Sequence, residues 1–277
     1  MNGLSLVIPA FNEEAGIGKV LDRLSEIRAT LPFPVEVIVV DDGSSDRTAE
    51  IARSKQAVVV SHPINLGYGT SLKRGIQRAT HEWVGIVDSD GTYDVGELRA
   101  LVACLDGHDM VVGARQGAVY RGTFLKYPMR LVFRWLCLYV TGTRVPDVNS
   151  GFRLFRKGFV LSHGRALSSG YSFTTSLTIL SLLEGCVVGF VPIHYVERLG
   201  RSKVRLIRDM LRSSQILLEI ILMYNPLKVF LLLGMVPLIA GGFFMSRALW
   251  IAPLMVGFAC LIWALGGVGV LLSRRNR

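Results

Sequence analysis

Three short segments of the amino-acid sequence concentrate carboxylates among glycine and small polar residues. They are Pro9-Ala10-Phe11-Asn12-Glu13-Glu14, Asp41-Asp42-Gly43-Ser44-Ser45-Asp46 and Asp88-Ser89-Asp90-Gly91. Singly, each has a plain structural reading: Asp42-Gly43 suits a turn, and Ser44 or Asp46 suits a helix cap. Together they describe a site. Carboxylates two residues apart, as in Asp88-Ser89-Asp90, can converge on one hard divalent cation whose shell is completed by phosphate oxygens. Like charges gathered in this way repel one another, so the fold must supply hydrogen-bond donors or a cation. The chemistry implied is a shared metal–nucleotide site. No G-x-x-x-x-G-K-[ST] phosphate loop is present, and no G-x-G-x-x-G follows the first apolar run, which disfavours an ATPase or a dinucleotide dehydrogenase. The four cysteines are scattered without a C-x-x-C pair, and the five histidines lack metal-site spacing. A disulfide framework and a thiolate zinc site are therefore disfavoured, and a reducing compartment is expected.

The elements that must position these clusters are legible around them. Each cluster follows an apolar run of strand length, at residues 4–9, 35–40 and 83–88, and further runs lie at 57–61, 110–112 and 187–196. Segments with helical periodicity alternate with them at 15–31, 46–55, 71–79 and 95–105; in the first, Ile17, Val20, Leu21, Leu24 and Ile27 share a face. Strand–helix alternation predicts a mostly parallel sheet with right-handed crossovers. The nearly continuous apolar run Val37-Ile38-Val39-Val40 predicts cover on both faces. In such a sheet ligands bind outside the carboxyl ends of the strands, where the three clusters fall.

The net charge of +10 is unevenly distributed. Residues 1–114 carry 10 basic and 16 acidic side chains, residues 115–225 carry 16 and 5, and residues 226–277 carry 5 and none. A nucleic-acid binder would be basic throughout; basic charge directly before an apolar tail points to anionic lipid. Residues 229–246 and 248–273 contain no charged side chain, 18 and 26 residues respectively. At 1.5 Å per residue these are roughly 27 and 39 Å long, against a hydrocarbon core of about 30 Å. They predict a transmembrane hairpin of two spans, about 227–246 and 248–273, with Asn225-Pro226 as cap and first turn. Arginines before the hairpin and at 274, 275 and 277 place both ends and the main domain in the cytoplasm. Residues 124–140 and 205–224 mix apolar, aromatic and basic positions and are expected to lie along the membrane surface. No basic leader precedes residues 4–9, so no signal peptide is expected. The expected organisation is a cytoplasmic domain at 1–204, an amphipathic helix at 205–225 and the hairpin at 226–277.

The order Val-Ile-Pro-Ala-Phe-Asn-Glu, Val-Val-Asp-Asp-Gly-Ser-Ser-Asp, Asn65-Leu66-Gly67, Asp-Ser-Asp-Gly and Val112-Gly113-Ala114-Arg115 resembles family 2 glycosyltransferases of the GT-A fold. Later segments narrow the resemblance: Asp147-Val148-Asn149-Ser150-Gly151-Phe152-Arg153, Val191-Pro192-Ile193, Arg198 and Gly200-Arg201-Ser202-Lys203. These are similar to polyprenyl-phosphate glycosyltransferases, among them dolichyl-phosphate mannose synthases and bacterial undecaprenyl-phosphate glucosyltransferases. The likeness covers about residues 4–225 and leaves open the sugar, the nucleotide base and the polyprenol length.

The resemblance implies a Rossmann-like α/β catalytic domain that moves a sugar, with inversion, from a UDP- or GDP-sugar to a polyprenyl phosphate. A bacterial inner membrane suits it, no nucleic acid is expected, and a homo-oligomer is left open. By the same resemblance Pro9, Phe11 and Glu13, with Asp41 and Asp42, hold the base and ribose. Asp88 and Asp90, flanking Ser89, bind the nucleotide and Mg²⁺ or Mn²⁺. Arg115 lies near the phosphates, and Arg198, Ser202 and Lys203 sit on a loop over the diphosphate or the lipid phosphate. Asp147 lies near the acceptor and completes a catalytic set with Asp90, Arg198 and Lys203. Lys126, Arg130 and Arg201 belong to the acceptor and membrane side. One departure is visible: mannose synthases often follow D-x-D with Leu-Gln-His, whereas Gly91-Thr92-Tyr93 stand here, leaving Thr92 or water as a third metal ligand. Rival readings are a glycosyltransferase with another lipid or a polysaccharide as acceptor, and a non-catalytic membrane subunit that binds nucleotide sugar.

Overall fold

Every residue of the first strand, β1 (Leu4–Ala10), is buried. Both of its faces must therefore be covered, and its side chains show how. Leu4, Leu6 and Ile8 point into the cluster formed with Ile17, Val20, Leu21, Leu24 and Ile27 of helix α1 (Glu14–Arg28). Val7 points the other way, onto helix α3 (Tyr68–Arg78), whose Gly75 admits it. The structure, a computed structural model, describes residues 1–117, 127–196, 206–244 and 251–275.

Among these residues one sheet of seven strands has the order β3-β2-β1-β4-β6-β5-β7. The strands are β1, β2 (Val35–Asp41), β3 (Val58–Ser61), β4 (Trp83–Ile86), β5 (Met110–Gln116), β6 (Arg153–Arg156) and β7 (Val188–His194). β2 and β4 flank β1 in parallel, with Leu6 opposite Val37 on one side and Gly85 on the other. β6 runs antiparallel between β4 and β5, so the sheet is mixed but mostly parallel, as the alternation of elements predicts. Helix α2 (Thr48–Ser54) and helix α4 (Leu98–Ala103) complete the crossovers of this half. The chain leaves β1 toward β2 on one side, while β4 takes up the other. That reversal of strand order is the crevice in which open α/β sheets bind ligands.

Helix α5 (Tyr127–Thr141) leads toward β6, which is followed by α6 (Lys157–Ser162) and α7 (Phe173–Leu183). On α5, Cys137 and Val140 are buried while Leu131, Trp135 and Leu138 are exposed, Trp135 stacking on Tyr139. Almost all of α7 is buried, including the hydroxyls of Thr174, Thr175, Ser176 and Thr178. Helix α8 (Leu206–Tyr224) begins in one compact unit, Met1–Ser213, and ends in a second, Ser214–Arg277.

In the second unit α9 (Pro226–Phe244) packs against α10 (Ile251–Arg275) through glycines. A Cβ on Gly266 would lie 2.6 Å from Phe230 Cβ, and one on Gly234 would lie 2.5 Å from Trp263 Cδ1. The Trp263 indole donates to the Leu231 carbonyl at 3.3 Å. Small residues of this kind let two helices approach without a water-driven core. Among the described residues one helix, through Pro253–Val270, is long and apolar enough to cross a membrane; residues Gln215–Tyr224 and Pro226–Gly241 pass the same test jointly but are bent by 115°. On α10, Leu254, Phe258, Leu261 and Leu265 are exposed. The turn expected between the two spans lies outside the described residues.

The approach of α3 to the sheet yields a stability prediction. A Cβ on Gly75 would meet Val7 and lie 2.9 Å from Val40 Cγ2, both β-branched side chains with no room to give. Gly75→Ala is expected to cost about 1–3 kcal/mol by overpacking. Gly158→Ala, in α6 with nothing near its Cβ position, is expected to be neutral or to gain up to about 1 kcal/mol. Denaturant titrations of both variants measure the contrast.

Candidate active site

The β1 and β2 ends are tied together before any ligand is considered. Asn12 adopts a left-handed φ of 49°, a conformation asparagine tolerates better than most residues. Its backbone N–H donates to Ser44 Oγ at 3.0 Å, and its side-chain oxygen accepts from the Ser45 N–H at 2.8 Å. The Glu13 N–H donates to Thr48 Oγ1 at 2.8 Å, and the Ser44 N–H to Asp41 Oδ1 at 3.1 Å. Asp46 accepts from the Thr48 hydroxyl and from the Thr48 and Glu14 N–H groups. Burial alone would raise its carboxyl, but these donors hold it below its usual range. Pro9 and Glu13 are buried, and Phe11 is half-buried at the strand end.

Asp42 has an architectural role. Only 4% exposed, it accepts the Leu66 N–H at 2.9 Å on Oδ1 and the Gly67 N–H at 2.9 Å on Oδ2, and it contacts His62 Nδ1 at 2.8 Å. These donors precede the first turn of α3, so a negative charge sits at the positive end of that helix. Gly43 makes the same approach possible: a Cβ there would lie 2.6 Å from the Ile64 carbonyl carbon. The Asp41-Asp42 pair and the Asn65-Leu66-Gly67 segment thus form one unit that fixes where α3 begins.

The first residue of α3 reaches the D-x-D segment. Tyr68 donates its hydroxyl to Asp88 Oδ1 at 2.8 Å. Burial and the Asp88 charge raise the Tyr68 phenol well above its usual range, so it stays a donor. On the far side of Asp88 the chain passes at Gly151, where a Cβ would lie 2.8 Å from Asp88 Cγ. The Gly151 N–H in turn donates to Tyr93 Oη at 2.7 Å. Asp90 Oδ1 accepts from the Thr92 N–H at 3.1 Å and the Thr92 hydroxyl at 2.6 Å. Ser89 turns its hydroxyl back to the Pro9 carbonyl at 2.9 Å, locking β4 to β1. Tyr68 and Thr92 are neutral donors: they orient the carboxylates and leave their charge in place. Thr92, 2% exposed and turned to Asp90, supports that carboxylate where a third metal ligand was one expectation.

Among the described residues no group of three or more His, Cys, Asp or Glu could hold a metal. An all-protein cage is therefore absent from them. Two oriented carboxylates fit the other kind of site, in which one or two carboxylates share Mg²⁺ with substrate phosphates.

At the end of β5, Arg115 meets Asp147 in a bidentate pair, Nε to Oδ2 at 2.7 Å and Nη2 to Oδ1 at 2.9 Å. The Arg115 and Asn149 backbone N–H groups add a bond to each oxygen. Asp147 is 3% exposed. Burial alone would push its carboxyl up; the Arg115 charge and these hydrogen bonds overrule that and hold it below the usual carboxylate range. The guanidinium also lies 5.2 Å from the centre of the Tyr195 ring, which packs edge-on against Tyr93. Behind this loop Arg153 is fully buried. It donates to the carbonyls of Val148, Ser150 and Thr174 and to the Thr178 hydroxyl. Desolvation lowers its guanidinium to about 10, so it remains a cation that pins the 147–151 loop to α7.

The structure thus brings together Pro9, Phe11, Glu13, Asp41, Asp42, Asp88, Ser89, Asp90, Arg115 and Asp147 at one rim of the sheet. Lys126, Arg198, Arg201, Ser202 and Lys203 lie outside the described residues, as does the side chain of Arg130 in α5. Sequence reasoning missed Tyr68, Tyr93 and the bracing role of Arg153. Tyr68 directly follows Asn65-Leu66-Gly67, a signal that could have drawn attention to it.

Comparison with known proteins is consistent with this geometry. Residues 5–164 match the family model Glycosyl transferase family 2. A dolichyl-phosphate hexose transferase of Haloferax volcanii is 32% identical over 207 residues, covering 73% of this chain and 86% of that protein. The crystal structure of glucosyl-3-phosphoglycerate synthase from Mycobacterium tuberculosis with Mn²⁺, UDP and phosphoglyceric acid superposes with a TM-score of 0.64 at 25% identity, covering 79% of this chain and 78% of that one. The same synthase with Mg²⁺ and UDP gives 0.62 at 23% identity, covering 79% of both chains.

The Asp147–Arg115 pair has a pH signature. A carboxyl held below its unfolded value contributes stability above about pH 4 and loses it as pH falls through the folded value. Asp147→Asn is expected to cost about 2–3 kcal/mol at neutral pH, Arg115 being partly exposed. The difference from wild type should shrink as pH falls below about 4, where the unfolded carboxyl takes up a proton that the folded one accepts only at lower pH. Urea titrations of both proteins over this range measure it; a difference independent of pH contradicts the ion pair.

Proposed function

The chain belongs to the family 2 glycosyltransferases, and from that premise we propose that it transfers a hexosyl group from a nucleoside diphosphate sugar to a polyprenyl phosphate at a membrane surface. The observation that carries this reading is the adjacency, at one sheet rim, of the oriented Asp88–Asp90 carboxylates and a guanidinium held ready by Asp147. One arrangement suits a donor diphosphate with its cation, the other an anionic acceptor.

On the donor side, Phe11 offers a half-buried ring to the base, and the Pro9–Glu13 and Asp41–Ser45 turns, already tied to each other, give its pocket a fixed shape. Asp42 also acts through α3. Asp88 and Asp90 would hold Mg²⁺ or Mn²⁺ with the diphosphate. When bound, the ion supplies Lewis-acid stabilisation of the charge that develops on the departing diphosphate. The solved synthase complexes with Mn²⁺ or Mg²⁺ and UDP support this assignment for a related fold.

On the acceptor side the nucleophile is a phosphate oxygen. A phosphate monoester has a second pKa of roughly 6, so it is largely dianionic at neutral pH and needs positioning more than deprotonation. Asp147 fits that need. Its oxygens accept from Arg115 and Asn149 and its carboxyl is held ionised, which makes it a poor proton carrier and a good brace. Arg115, whose Nε and Nη2 already bond Asp147, would meet the phosphate with its other N–H donors. The C1–O bond to the diphosphate breaks as the phosphate oxygen attacks C1 from the opposite face, the bonding pair leaving with the diphosphate, so the anomeric configuration inverts. Arg198, Ser202 and Lys203 are assigned to the diphosphate or lipid-phosphate side. A neutral hydroxyl acceptor would need a base, for which Asp147 is poorly suited.

The membrane assignment follows from the acceptor. Each buried CH₂ of a polyprenyl chain contributes about 0.8 kcal/mol to membrane retention, so the site must come to the headgroups. The apolar α9–α10 pair supplies the anchor, read as two spans with the catalytic unit cytoplasmic. The exposed Leu131, Trp135 and Leu138 of α5, with Lys126, Arg130 and Arg201, supply surface contact. The relative named a dolichyl-phosphate hexose transferase supports the acceptor class.

The test is transfer of labelled hexose from UDP-glucose, UDP-galactose or GDP-mannose to undecaprenyl phosphate by the full chain in vesicles. Asp90→Asn is expected to lose two to three orders of magnitude in rate, about what removal of one transition-state charge partner costs. Thr92→Val is expected to keep its maximal rate but to need about tenfold more Mn²⁺, as loss of a carboxylate's outer support does. A metal-independent rate, or Asp90→Asn with wild-type activity, contradicts the cation assignment.

A further inference from the structure

An exposed aromatic ring is fixed next to the D-x-D segment with more restraint than its own burial explains. Tyr171 is 47% exposed and stacks on Tyr68, ring centres 5.7 Å apart at an interplanar angle of 18°. Tyr68 is the residue whose hydroxyl holds Asp88. The loop that carries Tyr171 is bound along α3. The Thr70 N–H donates to the Ser169 carbonyl at 3.1 Å. Lys73 Nζ donates to the Leu167 carbonyl at 2.6 Å and to Ser169 Oγ at 3.1 Å. A Cβ on Gly69 would lie 2.5 Å from the Ser168 carbonyl oxygen, so only glycine allows this approach. The result is a flat ring, open to solvent and held by α3, which Asp42 positions.

We propose that Tyr171, backed by Tyr68, is the platform that receives the hexose ring of the donor and helps to set which sugar is transferred. This rests on the glycosyltransferase reading above. A pyranose presents an apolar C–H face and a rim of hydroxyls, and an aromatic ring matches the face while polar neighbours match the rim. The neighbours here are Ser168, Ser169 and Gly170, with Thr70 and Lys73 across from them. A prenyl chain needs a continuous apolar surface, which the exposed Leu131, Trp135 and Leu138 of α5 supply instead. Position agrees with chemistry. The hexose is bonded directly to the diphosphate, and the platform is one stacked ring away from the tyrosine that holds Asp88.

Titration calorimetry with the full chain tests the proposal. UDP-glucose, UDP-galactose and GDP-mannose are each compared with their bare nucleoside diphosphate, in the presence of Mn²⁺, on wild type, Tyr171→Ala and Tyr171→Phe. For the nucleotide sugars that wild type binds, Tyr171→Ala is expected to weaken binding about fivefold, while binding of the nucleoside diphosphate stays within about twofold and Tyr171→Phe stays near wild type. Equal loss for sugar nucleotide and nucleoside diphosphate, no loss, or a Phe variant as impaired as the Ala variant overturns the platform. So does a Tyr171→Ala enzyme whose only change is a higher KM for undecaprenyl phosphate, which would make the ring an acceptor surface. A wild type that binds none of the three donors overturns both readings; a wild type that transfers hexose with Tyr171→Ala unimpaired overturns the platform alone.

Discussion

Like-charged carboxylates crowded at the ends of adjacent strands must be held apart and aimed, and most of the catalytic unit is organised around that constraint. The fold meets it largely with neutral donors. Asp41, Asp42 and Asp46 take backbone N–H groups, and Asp88 and Asp90 each take a side-chain hydroxyl. The donors to Asp41, Asp46 and Asp90 include near neighbours in the chain, but those to Asp42 and Asp88 come from residues 66–68, so holding these two charges also sets the spacing of the elements. Asp42 places the start of α3, α3 places Tyr68, Tyr68 places Asp88, and Asp88 leaves room only for a glycine at 151. These neutral donors orient the carboxylates without removing their charge, which suits the proposed sharing of a cation with substrate.

Asp147 follows a different rule. It is matched by a bidentate guanidinium, and that guanidinium stands at the end of β5, beyond the antiparallel β6. The site thus has two electrostatic halves built on two parts of the sheet: an acidic one at the switch in strand order and a basic one beside it. The division mirrors the charge of the chain, acidic through residue 114 and basic after it. In the proposed transfer between two phosphorylated partners, the first half serves the donor and the second the acceptor.

Much of this was legible in the sequence because the parallel strands and their polar ends are written in runs of one character. Leu4–Ala10 and Val35–Asp41 are apolar until the site begins, so strand and site residues declare each other. The rest was hidden where residue type and environment disagree. β6 reads Arg-Leu-Phe-Arg, four residues with charged ends, and its first arginine is fully buried because carbonyls of the neighbouring loop and helix solvate it. Helix α7 has no polar face for periodicity to detect, since its serines and threonines are buried along with its leucines. Asp42 also braces the start of α3, a role that depends on where Leu66 and Gly67 lie in space. Thr92 is likewise a brace, bonded to its neighbour Asp90.

The proposed acceptor atom is an oxygen of a lipid phosphate, oriented by a guanidinium and not activated by a base. Phosphorus NMR of undecaprenyl phosphate in vesicles with the full chain, Mn²⁺ and a nucleotide sugar that it turns over tests this directly. The monoester resonance, whose shift moves with pH near its second ionisation, is expected to be replaced by a diester resonance that does not move, one for each nucleoside diphosphate released. Release of nucleoside diphosphate with the monoester resonance intact, or hexose recovered on a hydroxyl acceptor, would contradict it.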